Sequence, residues 1–255
     1  MSMRPFERPP VVVGHRGAPE QAPENTPASF LAAVELGATW VELDVRRSAD
    51  GELVCHHDAH TPDGVPLVAR SADELALVGV WSLPAVLDAL PAGLGVDVEV
   101  KNLPGEPDFD EEDGLVEELA TILTSHRHTR PWMTSSFNPR TVAALGAALP
   151  DVPAGLLHLA SLDVRGAVAI AAEYGAAVLG PQAGASGLDD EGVAACHDRG
   201  LSVLVWTVDE AAQAVGLANA GVDAICTNRP DVVAAALARR SPGRPRNVRA
   251  EHTES

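Results

Sequence analysis

PWMTSSFNPRTVAALGAALPDVPAGLLH, residues 131 to 158, holds one complete repeat of the architecture. Residues 131–135 and 153–157 are short apolar runs of strand length, and the Ala-rich stretch 139–148 between them has helical spacing behind an initial proline. Towards the C-terminus the alternation continues, with strands expected at 177–180, 202–206 and 222–226 and helices at 164–174, 189–199, 210–220 and 230–239. Towards the N-terminus it gives a strand at 94–101, one over 40–45 and one at 10–14. Their helices are 114–125, a short one from Ser82 through Leu90, and one that Thr26 caps and Pro27 opens, ending at Gly37. The stretch between the second and third strands is irregular, with an apolar segment at 53–55, then 59–80 with a helical hint at 72–77 alone, and 103–113 after the third strand is an acidic, Pro-containing loop.

Eight strands, each followed by a helix, in about 240 residues predict an α/β protein of the single-domain (β/α)8 TIM-barrel type, with little or no capping insertion. The expected bounds are an N-terminal extension at 1–9, the barrel over 10–240 and a disordered tail at 241–255, which lacks apolar periodicity. A doubly wound open sheet is the alternative. It would usually have fewer strands and a Gly-rich first turn, and Gly14-His15-Arg16-Gly17 lacks the G-x-G-x-x-G form.

Composition narrows the function. The formal charge of −18 over 255 residues argues against nucleic acid as a partner, since phosphate-backbone binding needs clustered cations. The start has no apolar signal core, and no apolar run approaches the length of a membrane span, so a soluble, cytoplasmic protein without integral membrane contact is expected. The three cysteines, Cys55, Cys196 and Cys226, are far apart and lack C-x-x-C spacing, as expected of reduced buried thiols. Of the 18 basic residues only Lys101 is a lysine, which suggests a site that wants a compact ammonium and not a planar fork.

In such a barrel the active site lies at the C-terminal ends of the strands. His15 and Arg16 follow strand one. Glu42 and Asp44 share one face of strand two, His57 comes shortly after it, and Asp97, Glu99 and Lys101 share one face of strand three. Glu42, Asp44 and Glu99, three carboxylates without a His or Cys cluster, point to a hard cation, Mg²⁺ or Ca²⁺. Arg16 and Lys101 would flank an anion such as a phosphoryl group. Two histidines, His15 and His57, are suited to give and take a proton near neutral pH. Together these parts amount to phosphodiester cleavage.

His15-Arg16-Gly17, Pro23-Glu24-Asn25-Thr26, Glu42-x-Asp44, Asp50-Gly51 leading to His57-Asp58, and Glu99-x-Lys101 closely resemble the motifs of the glycerophosphodiester phosphodiesterases. The likeness continues through Ser135-Ser136-Phe137, Val205-Trp206-Thr207-Val208 and the run Gly221 to Pro230. It implies a (β/α)8 barrel that hydrolyses glycerophosphodiesters to glycerol 3-phosphate and an alcohol, in glycerol and lipid metabolism. It also implies one divalent metal held by Glu42, Asp44 and Glu99, His15 and His57 as acid and base, Arg16 and Lys101 on the phosphate, and Phe137 and Trp206 beside the glycerol or leaving group. The expected partner is the small-molecule substrate, and the protein a monomer or homodimer. Two readings stand beside it: a phospholipase D-like lyase releasing a cyclic phosphate, and a non-catalytic phosphodiester-binding barrel. The chain departs from the family pattern at Ala59-His60-Thr61-Pro62-Asp63, and has Asn228 where Asp is usual.

Overall fold

The structure is a computed structural model and describes residues 5, 6, 10–126 and 129–240. The tail expected at 241–255 and, apart from residues 5 and 6, the extension expected at 1–9 lie outside the described residues. Eight parallel strands form the barrel: β1 (Val11–His15), β2 (Trp40–Arg47), β5 (Gly95–Val100), β6 (Trp132–Ser136), β7 (Ala154–His158), β8 (Val178–Pro181), β9 (Ser202–Val205) and β10 (Ala224–Thr227). Each pairs with the next, and β1 also pairs with β10, which closes the sheet. The helices that return the chain are α1 (Pro27–Glu35), α3 (Leu83–Ala89), α4 (Gly114–His126), α5 (Pro139–Ala148), α6 (Val164–Glu173), α7 (Asp190–Asp198), α8 (Ala211–Ala220) and α9 (Pro230–Ala238).

The pleat sorts residues into two cores. Along β5 the valines Val96, Val98 and Val100 face out and join the large apolar layer between strands and helices. Gly95, Asp97 and Glu99 alternate with them and face in. The inward apolar residues make a second, smaller core: Phe6, Val11, Val13, Trp40, Met133 and Leu204 are among its members. Trp40 plugs the barrel floor with Phe6 edge-on at 5.3 Å. Gly95 makes room for that plug, because a Cβ there would lie 2.2 Å from the Trp40 ring. The register then lifts a polar layer above the floor: Trp40 pairs with Gly95, Glu42 with Asp97, and Asp44 with Glu99.

The irregular stretch between the second and third barrel strands carries more structure than its sequence suggests. Residues 53–55 form β3 (Leu53–Cys55), antiparallel to β2, with β4 (Trp81–Ser82) added at its edge. A 3₁₀ turn at Leu67–Ala69 and the short helix α2 (Ala72–Ala76), held by a Ser71–Glu74 capping box, fill the connection. Ser82 is both the end of β4 and the cap of α3, accepting from the Ala85 amide. The last barrel strand starts two residues later than the apolar run at 222, because Asp223 is used at its foot: its carboxylate accepts from the Val203 amide and its carbonyl from the Val11 amide.

Candidate active site

Glu42, Asp44 and Glu99 each bring a carboxylate oxygen to within 4.8 Å of the others, all three buried. Three like charges in so small a space, away from water, cost several kcal/mol per uncompensated ion. The molecule answers unevenly. Glu42 Oε2 accepts from the Arg16 amide at 2.9 Å, but its Oε1 is buried with no hydrogen-bond partner among the described residues. Burial, then the charges of Asp44 and Glu99, push the Glu42 carboxyl well above the ordinary range. Burial also raises Glu99, against the opposing pull of Lys101. Burial would raise Asp44 too, yet Lys101 and Arg16 outweigh it and hold this carboxyl far below its usual value. An orphaned carboxylate oxygen beside two other carboxylates fits a hard cation.

The two cations face this cluster. Lys101 Nζ stands 2.8 Å from Asp44 Oδ1 and pairs with Glu99, and Arg16 Nε stands 3.2 Å from Asp44 Oδ2. Arg16 has a left-handed backbone, with φ at 54°, which turns its amide onto Glu42 while its guanidinium reaches Asp44 and Glu24. Asn25, also left-handed at 57°, donates to Asp44 Oδ2 at 2.7 Å and accepts from the Asp44 amide.

The two histidines come from different segments, one from β1 and one from the loop after β3. His15, at the end of β1, is bonded through Nδ1 to Asn228 Oδ1 at 2.8 Å, and His57 through Nδ1 to Asp58 Oδ1 at 2.7 Å. Both residues line one cavity, and these bonds occupy Nδ1 of each ring and leave Nε2 for chemistry. Burial lowers both imidazoles from their usual value, with Arg16 adding to the effect at His15 and Asp44 opposing it at His57. His56 instead bonds the Asp58 carbonyl through Nδ1 at 2.8 Å.

A cavity of about 210 Å³ lies over the polar layer, lined by His15, Arg16, Glu42, His57, Glu99 and Lys101. It shares His57, Lys101, Phe137 and Leu159 with an outer groove of about 930 Å³. Phe137 and Trp206 meet edge to face at 5.3 Å on the cavity wall, and the Lys101 ammonium lies 5.8 Å from the Phe137 ring centre. The structure therefore brings every residue singled out in the sequence to one mouth, Asp44 lying beneath it in contact with Arg16 and Lys101.

Sequence reasoning passed over two supports, Arg46 and Asp209, and placed a third, Asp97, on the polar face of the third strand without giving it a role. Arg46, only 2% exposed, donates from Nε to the His57 carbonyl and pairs with Asp108 at 2.7 Å and Glu106 at 2.9 Å, so it fastens the histidine loop to the segment after β5. Its signal was available, since period two places residue 46 on the face of Glu42 and Asp44. Asp97 lies on the cavity floor, accepting from Ser135 Oγ at 2.9 Å. Asp209, beyond β9, gathers Asn228 and Thr227, and no local pattern announces it.

This is the arrangement of a barrel hydrolase built to take a phosphate ester. Comparison with known proteins gives the particular family: the glycerophosphoryl diester phosphodiesterase family matches residues 15–232, and the chain belongs to it. A glycerophosphodiester phosphodiesterase of Caldanaerobacter subterraneus subsp. tengcongensis is 30% identical over 237 residues, covering 88% of this chain and 96% of the relative. A solved structure from Silicibacter pomeroyi superposes with a TM-score of 0.78 at 24% identity, covering 92% of this chain and 95% of that one, and shows the shared fold. An Oleispira antarctica phosphodiesterase, solved with its product sn-glycerol-3-phosphate, has a TM-score of 0.71 at 26% identity and covers 90% of this chain and 97% of that one. Among the described residues no helix is long and apolar enough to cross a membrane.

Proposed function

We propose that this protein hydrolyses glycerophosphodiesters to glycerol 3-phosphate and an alcohol, with Glu42, Asp44 and Glu99 holding one Mg²⁺ or Ca²⁺ and His15 and His57 moving the protons. The observation that carries the reading is the orphaned, buried Glu42 Oε1 within the triad, set in the same cavity as both histidines. When bound, the cation would neutralise charge on a phosphoryl oxygen and compensate the three carboxylates. Arg16 and Lys101 border the cavity with their outward N–H groups and orient the phosphodiester, while their remaining donors keep Asp44 ionised. One imidazole, neutral because it is buried, accepts a proton from the attacking hydroxyl. The other delivers a proton to the departing alkoxide; if the attacking group is the glycerol 2-hydroxyl, the cyclic phosphate so formed is opened by water in a second step, in which the two histidines exchange roles.

Phe137 and Trp206 give the inner cavity an apolar wall against the glycerol carbons, and the outer groove leaves space for the alcohol. The cytoplasmic setting is part of the same reading, supported by three cysteines that are all free and buried. Phosphorus NMR of the products formed from glycerophosphocholine tests the proposal. Glycerol 3-phosphate as the end product is expected. A cyclic phosphate that persists would assign a lyase instead, and unchanged substrate over hours would assign a binding protein.

A further inference from the structure

The ring nitrogen of His15 that turns away from the cavity enters a hydrogen-bond chain whose polarity can be read from its far end. Asp209 is an acceptor surrounded by donors: Thr227 Oγ1 reaches Oδ1 at 3.0 Å, the Asn228 amide reaches Oδ1 at 2.8 Å, and Asn228 Nδ2 reaches Oδ2 at 3.0 Å. Thr227 Oγ1 accepts in turn from the Arg229 amide, which leaves its proton for Asp209. A carboxylate that takes the Nδ2 side of Asn228 leaves only the Oδ1 side for His15, 2.8 Å away. An amide oxygen can only accept. His15 Nδ1 must then carry the proton, and Nε2 its lone pair.

We infer that Asp209 and Asn228 are a positioning pair for the reaction: Asp209 fixes which way the Asn228 amide faces, and Asn228 thereby holds neutral His15 as the Nδ1–H tautomer with Nε2 able to accept a proton. Neither residue lines the cavity, so both act through His15. The catalytic part of the inference rests on the proposed role of His15, whereas the tautomer is a property of the free protein and is measured without substrate.

The geometry also says what reverses it. In Asp209→Asn, the new amide keeps its oxygen towards the Asn228 backbone N–H and presents N–H to the Asn228 side chain. Asn228 then turns over, offers Nδ2 to His15, and puts the ring proton on Nε2. Adding Asn228→Asp to that variant restores an acceptor on both sides, since a carboxylate has no wrong way round. Asn228→Ala removes the acceptor for His15, together with the side-chain donor to Asp209 Oδ2, and leaves the two tautomers mixed.

The test is long-range proton–nitrogen correlation NMR of histidine-labelled protein without substrate, with His15→Ala identifying the resonances and thermal unfolding showing that each variant is folded. The Nδ1–H form is expected in the natural protein, Nε2–H in Asp209→Asn, Nδ1–H again in the double variant, and a mixture in Asn228→Ala. In turnover, a histidine fixed in the wrong tautomer should cost Asp209→Asn about a hundredfold or more in kcat with KM within about twofold, and the double variant should return to within about tenfold. An Nε2–H tautomer in the natural protein, or Nδ1–H persisting in Asp209→Asn, overturns the inference, as does an equal loss of kcat in the single and double variants. If the expected tautomers are seen while the natural protein releases no glycerol 3-phosphate, the positioning pair stands and the proposed reaction fails.

Discussion

Glu42→Gln should stabilise the metal-free protein and abolish its response to metal. Gln keeps the acceptor for the Arg16 amide and places an N–H₂ where Oε1 is orphaned among carboxylates. The magnitude has a ceiling, because metal-free Glu42 can always keep its proton. Against an ordinary carboxyl at 4.5, doing so costs about 4 kcal/mol at pH 7.5 and about 0.7 kcal/mol at pH 5. A carboxyl raised in the folded state contributes stability that is present below its unfolded value and lost as pH rises towards its folded one. The natural protein should therefore weaken on going from pH 5 to pH 7.5, and the variant should weaken less. At about 2–4 °C per kcal/mol for a chain of this size, the variant should melt several degrees to about 15 °C higher at pH 7.5 in EDTA.

Thermal unfolding in EDTA, then with Mg²⁺ or Ca²⁺, reads both halves. Metal at about a hundred times its Kd adds roughly 2.7 kcal/mol to the natural protein and should add nothing comparable to the variant. A variant that melts lower than the natural protein in EDTA at pH 7.5, or that gains as much from metal, would refute the cation site.

Asp97→Asn should act in the same direction. Burial, partly opposed by the Ser135 hydroxyl, raises Asp97 to about 7, so the metal-free natural protein loses stability between pH 4 and pH 7; the variant should flatten that slope in acid-to-neutral melting curves. Its gain at pH 7.5, up to about 4 kcal/mol, should not add fully to that of Glu42→Gln, since the two carboxylates repel each other. Arg46→Ala leaves Asp108 buried and unpaired and cuts the bond to the His57 carbonyl. It should cost about 3–5 kcal/mol in urea unfolding and lower kcat more than it raises KM. Because burial lowers both histidines, the acid limb of the kcat/KM profile should fall below pH 6.5, and a limb above that value would contradict the environments of His15 and His57.

The barrel was legible because its signal is repeated eight times and rests on strand and helix length alone. The site was legible for a narrower reason: Glu42 with Asp44, and Asp97 with Glu99 and Lys101, break apolar strands at period two, and a parallel barrel has no solvated face on which to place them. Arg46 belongs to that same series, but its partners Glu106 and Asp108 sit about 60 residues away in an acidic, Pro-containing loop. Nothing local says that such a loop folds back over β2. The excursion after β2 was obscured for a related reason. β3 and β4 are three and two residues long, and they exist because they pair with β2 and each other. Asp209 was invisible, since a single acidic residue past a strand gains meaning only when Thr227 and Asn228 are brought beside it.

The central claim is that the carboxylate triad, loaded with a divalent cation, and the two histidines form one hydrolytic site. Release of glycerol 3-phosphate from a panel of glycerophosphodiesters tests it, measured after EDTA treatment and again after adding back Mg²⁺ or Ca²⁺. Activity that vanishes with EDTA and returns with metal in the natural protein, but not in Glu42→Gln or His57→Ala, is the expected result. Turnover that survives EDTA, or His57→Ala working at near the natural rate, would contradict it.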